Sequence, residues 1–245
     1  MTIDERNIRA ALNNAQWCDT VCRSHGRPGE FFDDIWINRQ AAPTFCPNAV
    51  TLSGATLEPI KMIRQLTDLS IGEQLAIKDS FSRLDLTACG FGVQFEARWI
   101  YLRTPRIGAH AVADVRREIF SSAKALNQWE TAWRRCQSGV AKEEIIFMPG
   151  LLEERDIAVV AAYREDRIIS GSIASRSHDV VGWSNLFAPA DDALAYAAVS
   201  LSAIGEVFPG LPIVGYANGD ELDAAHALGF ETMGPFRVWM RDTSE

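Results

Sequence analysis

Only five cysteines occur among the 245 residues, and their spacing excludes a disulfide scaffold. Cys18 and Cys22 are the only two that lie close together in the sequence, and no second pair follows at the spacing of a zinc site. We therefore predict structural thiols and no bound metal. Reduced thiols of this kind are typical of a cytoplasmic protein, which is the location we expect.

Long apolar runs and an excess of positive charge are also missing. No stretch of 18 apolar residues occurs, and the first residues lack the basic-then-apolar pattern of a signal peptide, so we predict no membrane span. The 24 lysines and arginines are outnumbered by 32 aspartates and glutamates, which gives a net charge of −8. An acidic surface repels phosphate groups, and this argues against nucleic acid or an anionic membrane as a partner.

Several common catalytic motifs are absent as well. The sequence contains no Walker motif, no G-x-G-x-x-G and no H-E-x-x-H. Ser177, His178 and Asp179 are neighbours in a turn-like stretch, but a hydrolase triad is assembled in space, so their adjacency is no evidence for one. With 47% hydrophobic and 23% charged residues, the chain has the balance of a folded globular protein.

The N-terminal part alternates between helix-like and strand-like segments. Apolar residues at helical spacing predict helices over 4–24 and 57–69, the second with Thr56 as N-cap, and a short helix over 80–89. Apolar runs between turn signals predict strands over 31–37, 48–52, 75–78 and 91–102. The segment 105–142 differs in composition and is predicted to be a helical connector. Its Trp129 and Trp133, at i and i+4, are expected to pack against a neighbouring domain rather than form a ligand box.

The C-terminal part has a clearer pattern of three strands, helix, strand, helix, strand. Strands are predicted over 156–163, 167–176 and 180–187, followed by a helix over 193–207. A strand over 212–217, a short helix over 221–228 and a final strand through 237–240 complete the chain.

The two parts share a register. Asp79 precedes the Gly-Phe pair at 90–91 by eleven residues, and Asn218 precedes the pair at 229–230 by the same number. In both cases the interval contains a Leu-Asp pair, and the glycine is expected to end a short helix in the left-handed conformation. This shared register predicts an internal duplication.

The C-terminal part also resembles the GNAT N-acetyltransferase superfamily. The resemblance is carried by the hairpin AVVAAYREDRIISGSIA, the strand VVGWSNLF and the run YANGDELDAAHALGFETMGPFRVW, and it covers 144–242. The stretch 31–102 looks like a shortened second copy, as in tandem members of the superfamily. The resemblance implies an α/β fold with a mixed, mostly antiparallel sheet and flanking helices. It implies two related units, an abbreviated first one over 1–104 and a second over 144–245, joined by the connector over 105–143.

The loop that would bind the coenzyme departs from the pattern of the superfamily. Its members hold the pyrophosphate of coenzyme A with a Gly-rich loop at the start of the central helix, where backbone N–H groups are exposed. The corresponding stretch here, 186–193, contains no glycine but has one proline and two aspartates, Asp191 and Asp192. These carboxylates are expected to cap the helix and to place negative charge near the pyrophosphate. The resemblance implies coenzyme contacts from Ser184, Leu186, Phe187, Ala188, Asp192, Ala193 and Asn218.

The proton donor departs from the pattern too. Many members carry a tyrosine four residues before the Gly-Phe pair, where this sequence has Ala225, and Leu86 in the other copy. His226 is next in the chain but is rotated by about 100° around the helix. His226 and Tyr216 are the candidate catalytic residues, each with a simple exposed or packing role as the alternative.

The resemblance implies transfer of an acyl group from acyl-CoA, with acetyl-CoA as cosubstrate, to the amine of a small molecule or peptide. Such catalysis depends on proximity and on backbone N–H groups that polarise a carbonyl, so a missing tyrosine does not exclude it. The alternative is a non-catalytic protein of the same fold that binds another small ligand or serves as an interaction module. The altered loop favours this alternative. The sequence specifies no oligomeric state.

Overall fold

The computed structural model describes residues 3–69, 71, 74–104, 115–136 and 144–242. Within these ranges, no helix is both long enough and apolar enough to span a membrane. The α-helices are α1 (Glu5–Ser24), α2 (Leu57–Thr67), α3 (Ala123–Arg134), α4 (Ala193–Val207) and α5 (Gly219–Ala227). The strands are β1 (Glu30–Phe31), β2 (Ile35–Ile37), β3 (Ala49–Thr51), β4 (Gln74–Asp79), β5 (Gly92–Leu102), β6 (Val115–Ile119), β7 (Ile157–Arg164), β8 (Arg167–Ser177), β9 (Val180–Phe187), β10 (Ile213–Ala217) and β11 (Glu231–Asp242).

These elements form two compact units that alternate along the chain. The first unit consists of Met1–Ile100, Tyr216–Leu222 and Thr232–Glu245, and the second consists of Tyr101–Gly215 and Asp223–Glu231. The predicted segments 1–104, 105–143 and 144–245 are sequential and so do not coincide with them. The difference arises because β11, at the end of the chain, pairs antiparallel with β4. The internal duplication, from which the boundaries 1–104 and 144–245 are predicted, stays a prediction.

The first unit is built on strands in the order β1-β2-β3-β4-β11-β5. Strands β3 and β4 are parallel, whereas β1, β2 and β3 are joined by antiparallel pairings. Helix α2 buries Met62, Ile63 and Leu66 in the core. Thr56 stands at its N-cap but makes no side-chain capping bond there.

The second unit has the strand order β10-β9-β8-β7-β6, and β9 and β10 are its parallel pair. Helix α4 lies against β7 and β8, and nine of its fifteen residues are buried. Burial around most of its circumference explains its nearly uniform apolar sequence. Trp129 and Trp133 of α3 are also buried, and Trp129 Nε1 donates to the carbonyl of Val160 at 3.0 Å. Both rings contact Phe147, which lies in the predicted C-terminal segment 144–245, as the expected packing role requires.

The predicted short helix over 80–89 is wrong for most of its length. Only Thr87–Cys89 forms a turn of 3₁₀ helix. The buried carboxylate of Asp79 accepts hydrogen bonds from the backbone N–H groups of Leu84, at 2.8 Å, and of Phe81, at 3.3 Å. These bonds fold the segment into a loop around the carboxylate in place of a helix.

The predicted helical connector is also wrong in part. Within its described residues, α3 is helical but Val115–Ile119 forms the strand β6, which pairs antiparallel with β7. Because β6 ends the sheet and its three central residues are charged, it lacks the apolar alternation by which a strand is recognised. Residues 105–114 and 137–143 of the predicted connector lie outside the described residues.

Candidate functional site

The site begins where β9 leaves its parallel neighbour. Among the described residues of the second unit, β9 pairs with β10 only through Val181 and Gly182, opposite Ile213 and Val214. The strand nevertheless continues to Phe187, five residues beyond the last of these pairs. Beyond Gly182, the backbone of Trp183–Phe187 therefore has no ladder partner in β10.

A β-bulge interrupts the other edge of β9. Ser184 stands opposite Ile173 of β8, but Phe187 stands opposite Gly171, so two residues of β9, Asn185 and Leu186, face the single residue Ser172. Asn185 has a φ of 54°, in the left-handed region that asparagine tolerates better than most residues. Such a bulge takes a backbone group out of the ladder and redirects it, which is why bulges are frequent beside active sites.

Trp183, the first residue beyond the ladder with β10, is held by two contacts. Its ring stacks on that of Phe230, with centroids 5.6 Å apart and 10° between the planes. Its Nε1 donates to Ser200 Oγ of α4 at 3.2 Å, and Ser200 Oγ is 2.5 Å from Ser172 Oγ. Ser172 and Ser200 are both buried, so this network ties the bulge and the neighbouring part of β9 to the central helix.

The side chains of the predicted contacts on β9 face different ways. Ser184 Oγ is half-buried and lies 3.5 Å from the carbonyl of Ile173, whereas Leu186 is exposed. The ring of Phe187 is buried edge-on against Trp129, and Ala188 packs against a small cluster around Tyr196. Phe187 and Ala188 can therefore offer a ligand mainly their backbone groups.

The first turn of α4 carries no side-chain cap. A turn of 3₁₀ helix, Ala190–Asp192, leads into the helix at Ala193, and Asp192 occupies the N-cap position without a capping hydrogen bond from its side chain. The expectation that the aspartates cap this helix is therefore wrong for Asp192. Its carboxylate lies instead 3.7 Å from Arg164. The side chain of Asp192 therefore accepts no hydrogen bond from the backbone N–H groups of the first turn.

Arg164 brings positive charge to the start of α4. It is the last residue of β7, and its Nη2 donates to Tyr196 Oη of α4 at 2.8 Å. About half of the side chain is exposed, so the guanidinium is fixed by Tyr196 and Asp192 but remains accessible. The positive helix end and this guanidinium together oppose the negative charge that Asp191 and Asp192 place at the first turn of α4.

Tyr216 and Asn218, two of the residues predicted for the site, belong to the first unit. Asn218 is exposed and its Nδ2 donates to the carbonyl of Glu96 at 3.2 Å. Tyr216 is half-buried and stacked on Phe236, with centroids 4.2 Å apart. His226 lies in the second unit, exposed on α5. The structure thus brings together the predicted residues of β9 and α4 in one unit, and the roles of Tyr216, Asn218 and His226 stay predictions.

Two residues of the site were not found by the sequence reasoning. Asn185 lies inside the strand VVGWSNLF, and an asparagine there is a signal for a left-handed residue and hence for a bulge. Arg164 lies at the tip of the β7–β8 hairpin, 28 residues before Asp192, so no local pattern connects the two. In the described part of the chain, no group of three or more His, Cys, Asp and Glu residues is arranged to hold a metal ion.

Several of the known structures that resemble this chain are described as acetyltransferases of the GNAT type. A GCN5-related N-acetyltransferase from Kribbella flavida is 14% identical, with 95% of each chain covered and a TM-score of 0.61. A tandem GNAT protein of the clavulanic acid biosynthesis pathway is 11% identical, with 86% of this chain and 83% of that chain covered and a TM-score of 0.55. A GCN5-related N-acetyltransferase from Anabaena variabilis is 10% identical, with 99% and 72% covered and a TM-score of 0.51.

No protein-family model and no curated protein matches the chain. The likeness therefore rests on three-dimensional structure, and it extends over nearly the whole chain. This chain has a mixed, mostly antiparallel sheet and a buried central helix that follows a bulged strand. This chain has the GNAT fold.

Proposed function

We propose that the chain is an N-acyltransferase that uses acetyl-CoA as acyl donor and the amine of a small molecule or peptide as acceptor. The observation that carries the proposal is the path of β9, which leaves β10, bulges at Asn185 and leads into the uncapped start of α4. The free strand edge suits an extended ligand with amide groups, and the helix start suits a phosphate. These features fit acetyl-CoA, which would supply the activated thioester when bound.

The roles that we propose follow from where each residue lies. Backbone groups of Ser184, Leu186, Phe187 and Ala188 hold the extended arm of the coenzyme, and the N–H groups at Asp192 and Ala193 hold its phosphates. The backbone group released by the bulge at Asn185 polarises the acyl carbonyl. The proximity of the acceptor amine to the acyl carbonyl supplies the rest of the rate acceleration.

Three further residues are proposed on the strength of the resemblance. Asn218 gives one amide N–H to Glu96, and the second N–H is proposed to contact the coenzyme. His226 and Tyr216 are proposed as the groups that exchange protons with the acceptor amine and the leaving thiolate. A reaction in which only His226 or only Tyr216 exchanges a proton fits the same proposal.

The charges at the start of α4 give a first test of this assignment. Replacing Asp191 and Asp192 together by asparagine removes two negative charges while the shape of each side chain is kept. A unit charge about 4 Å away is worth on the order of 1 kcal/mol in water, so the double variant is expected to bind acetyl-CoA roughly fivefold or more tightly. Arg164→Gln is expected to weaken binding by a similar factor. Titration calorimetry on each variant measures both effects.

Arg167 provides a matched control, since it stands opposite Arg164 in the same hairpin. Arg167→Gln removes the same charge from a side chain that forms no ion pair with Asp192 among the described residues, and it should leave the affinity unchanged. An unchanged or weaker affinity in the double variant, with its circular dichroism intact, would place the coenzyme elsewhere. Equal effects of the two arginine variants would show that only net charge matters.

One observation favours the alternative, a non-catalytic protein of this fold. The start of α4 lacks glycine, and both Asp191 and Asp192 are exposed. The two functions are separated by mixing the protein with acetyl-CoA and a panel of primary amines, amino acids and peptides with free N-termini. The transferase predicts an acetylated product and release of coenzyme A, both seen by mass spectrometry. Binding of acetyl-CoA without a product from any amine would favour the alternative.

A further inference from the structure

The first unit contains a cluster of three thiols and a buried lysine, which we call the thiol cluster: Cys18, Cys22, Cys46 and Lys78. Cys18 and Cys22 lie one turn apart on α1 and are buried against Trp36. Cys46, in the segment between β2 and β3, packs against the same residues but is partly exposed. The cluster thus has two buried cysteines and one that is partly exposed.

Cys22 and Cys46 are in direct contact through a hydrogen bond between their side chains. This bond, with another from Asn38, holds the pKa of the Cys22 thiol below its ordinary value, although burial acts in the opposite direction. The same bond and burial raise the pKa of Cys46. The first proton therefore leaves the pair more easily than the second, because the remaining proton can be shared by the two sulfurs.

Lys78 adds a positive charge beside the thiols. Its Nζ lies 3.6 Å from Cys18 Sγ and 5.5 Å from the ring centroid of Tyr216, and the residue is only 8% exposed. No carboxylate forms an ion pair with it among the described residues. A buried ammonium without a carboxylate stabilises thiolate in its surroundings. Burial keeps the pKa of Cys18 itself raised, so Cys18 retains its proton.

We propose that Cys22 and Cys46 form a reversible disulfide by exchange with a low-molecular-weight disulfide. After the pair has lost one proton, the other can lie on Cys22, and Cys46, the partly exposed residue, then attacks the small disulfide as thiolate, forms a mixed disulfide and releases one small thiolate. Cys22 then attacks the sulfur of Cys46 and releases the second small thiolate. The two protein thiols lose two electrons and two protons, and the small disulfide takes up both to become two thiols.

The disulfide would join α1 to the segment that enters β3. It closes a loop with 23 residues between the two cysteines, and a loop of this length constrains the unfolded chain. The melting temperature of the oxidised protein is therefore expected to lie several degrees above that of the reduced protein. For a chain of this size, each kcal/mol of added stability raises the melting temperature by roughly 2–4 °C.

The test uses the full chain with oxidised glutathione as the probe, followed by alkylation of the remaining thiols and mass spectrometry without reduction. Asp19 lies between Cys18 and Cys22, so a protease that cleaves before aspartate puts the two cysteines on separate peptides. The expected product is a disulfide between the Cys22 peptide and the Cys46 peptide. Cys22→Ser should leave Cys46 as a stable mixed disulfide with glutathione, because the resolving thiol is gone. Cys46→Ser should leave Cys22 unmodified.

Cys136, which is exposed on the other unit, supplies the control. Cys136→Ser should not change the yield of the Cys22–Cys46 disulfide. Two results on the folded wild-type protein would overturn the proposal without any variant. One is that Cys22 and Cys46 are both alkylated as free thiols after exposure to glutathione disulfide. The other is that Cys18 takes the place of Cys22 in the bridge.

Discussion

Valine in place of Asn185 is expected to lower the rate of acetyl-CoA-dependent acyl transfer by about 100-fold. Asn185 has a φ of 54°, which a β-branched residue adopts only with strain. The strand should therefore lose its bulge, and the backbone group beside the acyl carbonyl moves out of place. The loss of one such donor costs 10²–10³-fold in rate for oxyanion sites of this kind, hence roughly two orders of magnitude here.

Asn185→Gly is the matched control for this prediction. Glycine adopts positive φ without strain, so the bulge and most of the activity should remain even though the amide side chain is lost. The measurement is the rate of product formation at saturating acetyl-CoA with the best acceptor of the panel. Equal losses in the valine and glycine variants would assign the effect to the asparagine side chain and remove the role of the bulge.

Glu130→Ala is expected to destabilise the protein by about 3–5 kcal/mol, the usual cost of breaking a buried charge network. The carboxylate of Glu130 on α3 is almost fully buried. It accepts hydrogen bonds from the backbone N–H groups of Ile146, at 2.9 Å, and Phe147, at 3.1 Å, and it pairs with Arg134. Alanine would remove one acceptor from two buried N–H groups and from a largely buried guanidinium.

Urea unfolding followed by circular dichroism measures this loss, and Glu118→Ala is the control. Glu118 also pairs with an arginine, Arg116, but both side chains are substantially exposed on the edge strand β6. Surface pairs of this kind contribute at most about 1 kcal/mol, so this variant should unfold close to the wild type. If the two variants lost the same stability, the buried hydrogen bonds and ion pair of Glu130 would not make the contribution that we assign to them.

The sequence predicts most of the second unit because its local signals agree with its packing. The strands β7, β8 and β9 and the helix α4 lie within one or two residues of their predicted bounds. Each combines a run of mainly apolar or small residues with clear turn or helix-stop residues, and much of each run is buried. Strand β6 has no such run, because its charged middle residues lie at the edge of the sheet.

The candidate site is less predictable, because it depends on contacts between distant parts of the chain. The apolar pattern of β9 shows a strand but not the place at which its pairing with β10 ends. The pairing of Arg164 with Asp192 likewise requires knowledge of how β7 lies against α4. The return of β11 to pair with β4 leaves no local signal, since strand pairing between distant segments is decided by the whole sheet.

The shared register of Asp79 and Asn218 illustrates the same limit on sequence patterns. Asp79 is buried and holds the backbone of the following loop, whereas Asn218 is exposed and reaches the carbonyl of Glu96. Two residues at equivalent positions of a predicted repeat therefore have different surroundings. Asp79→Ala should lower stability, so only Asn218→Ala is informative as a probe of ligand binding.

Equilibrium dialysis of radiolabelled acetyl-CoA against the full chain tests the proposed coenzyme site most directly. It requires no acceptor amine, and it detects binding even when the heat of binding is too small to measure. The wild-type protein is predicted to bind one equivalent in a saturable manner, with tighter binding in Asp191→Asn/Asp192→Asn and weaker binding in Arg164→Gln. Absence of saturable binding to the folded wild type at millimolar coenzyme would contradict the assignment of an acyl-CoA site to β9 and α4.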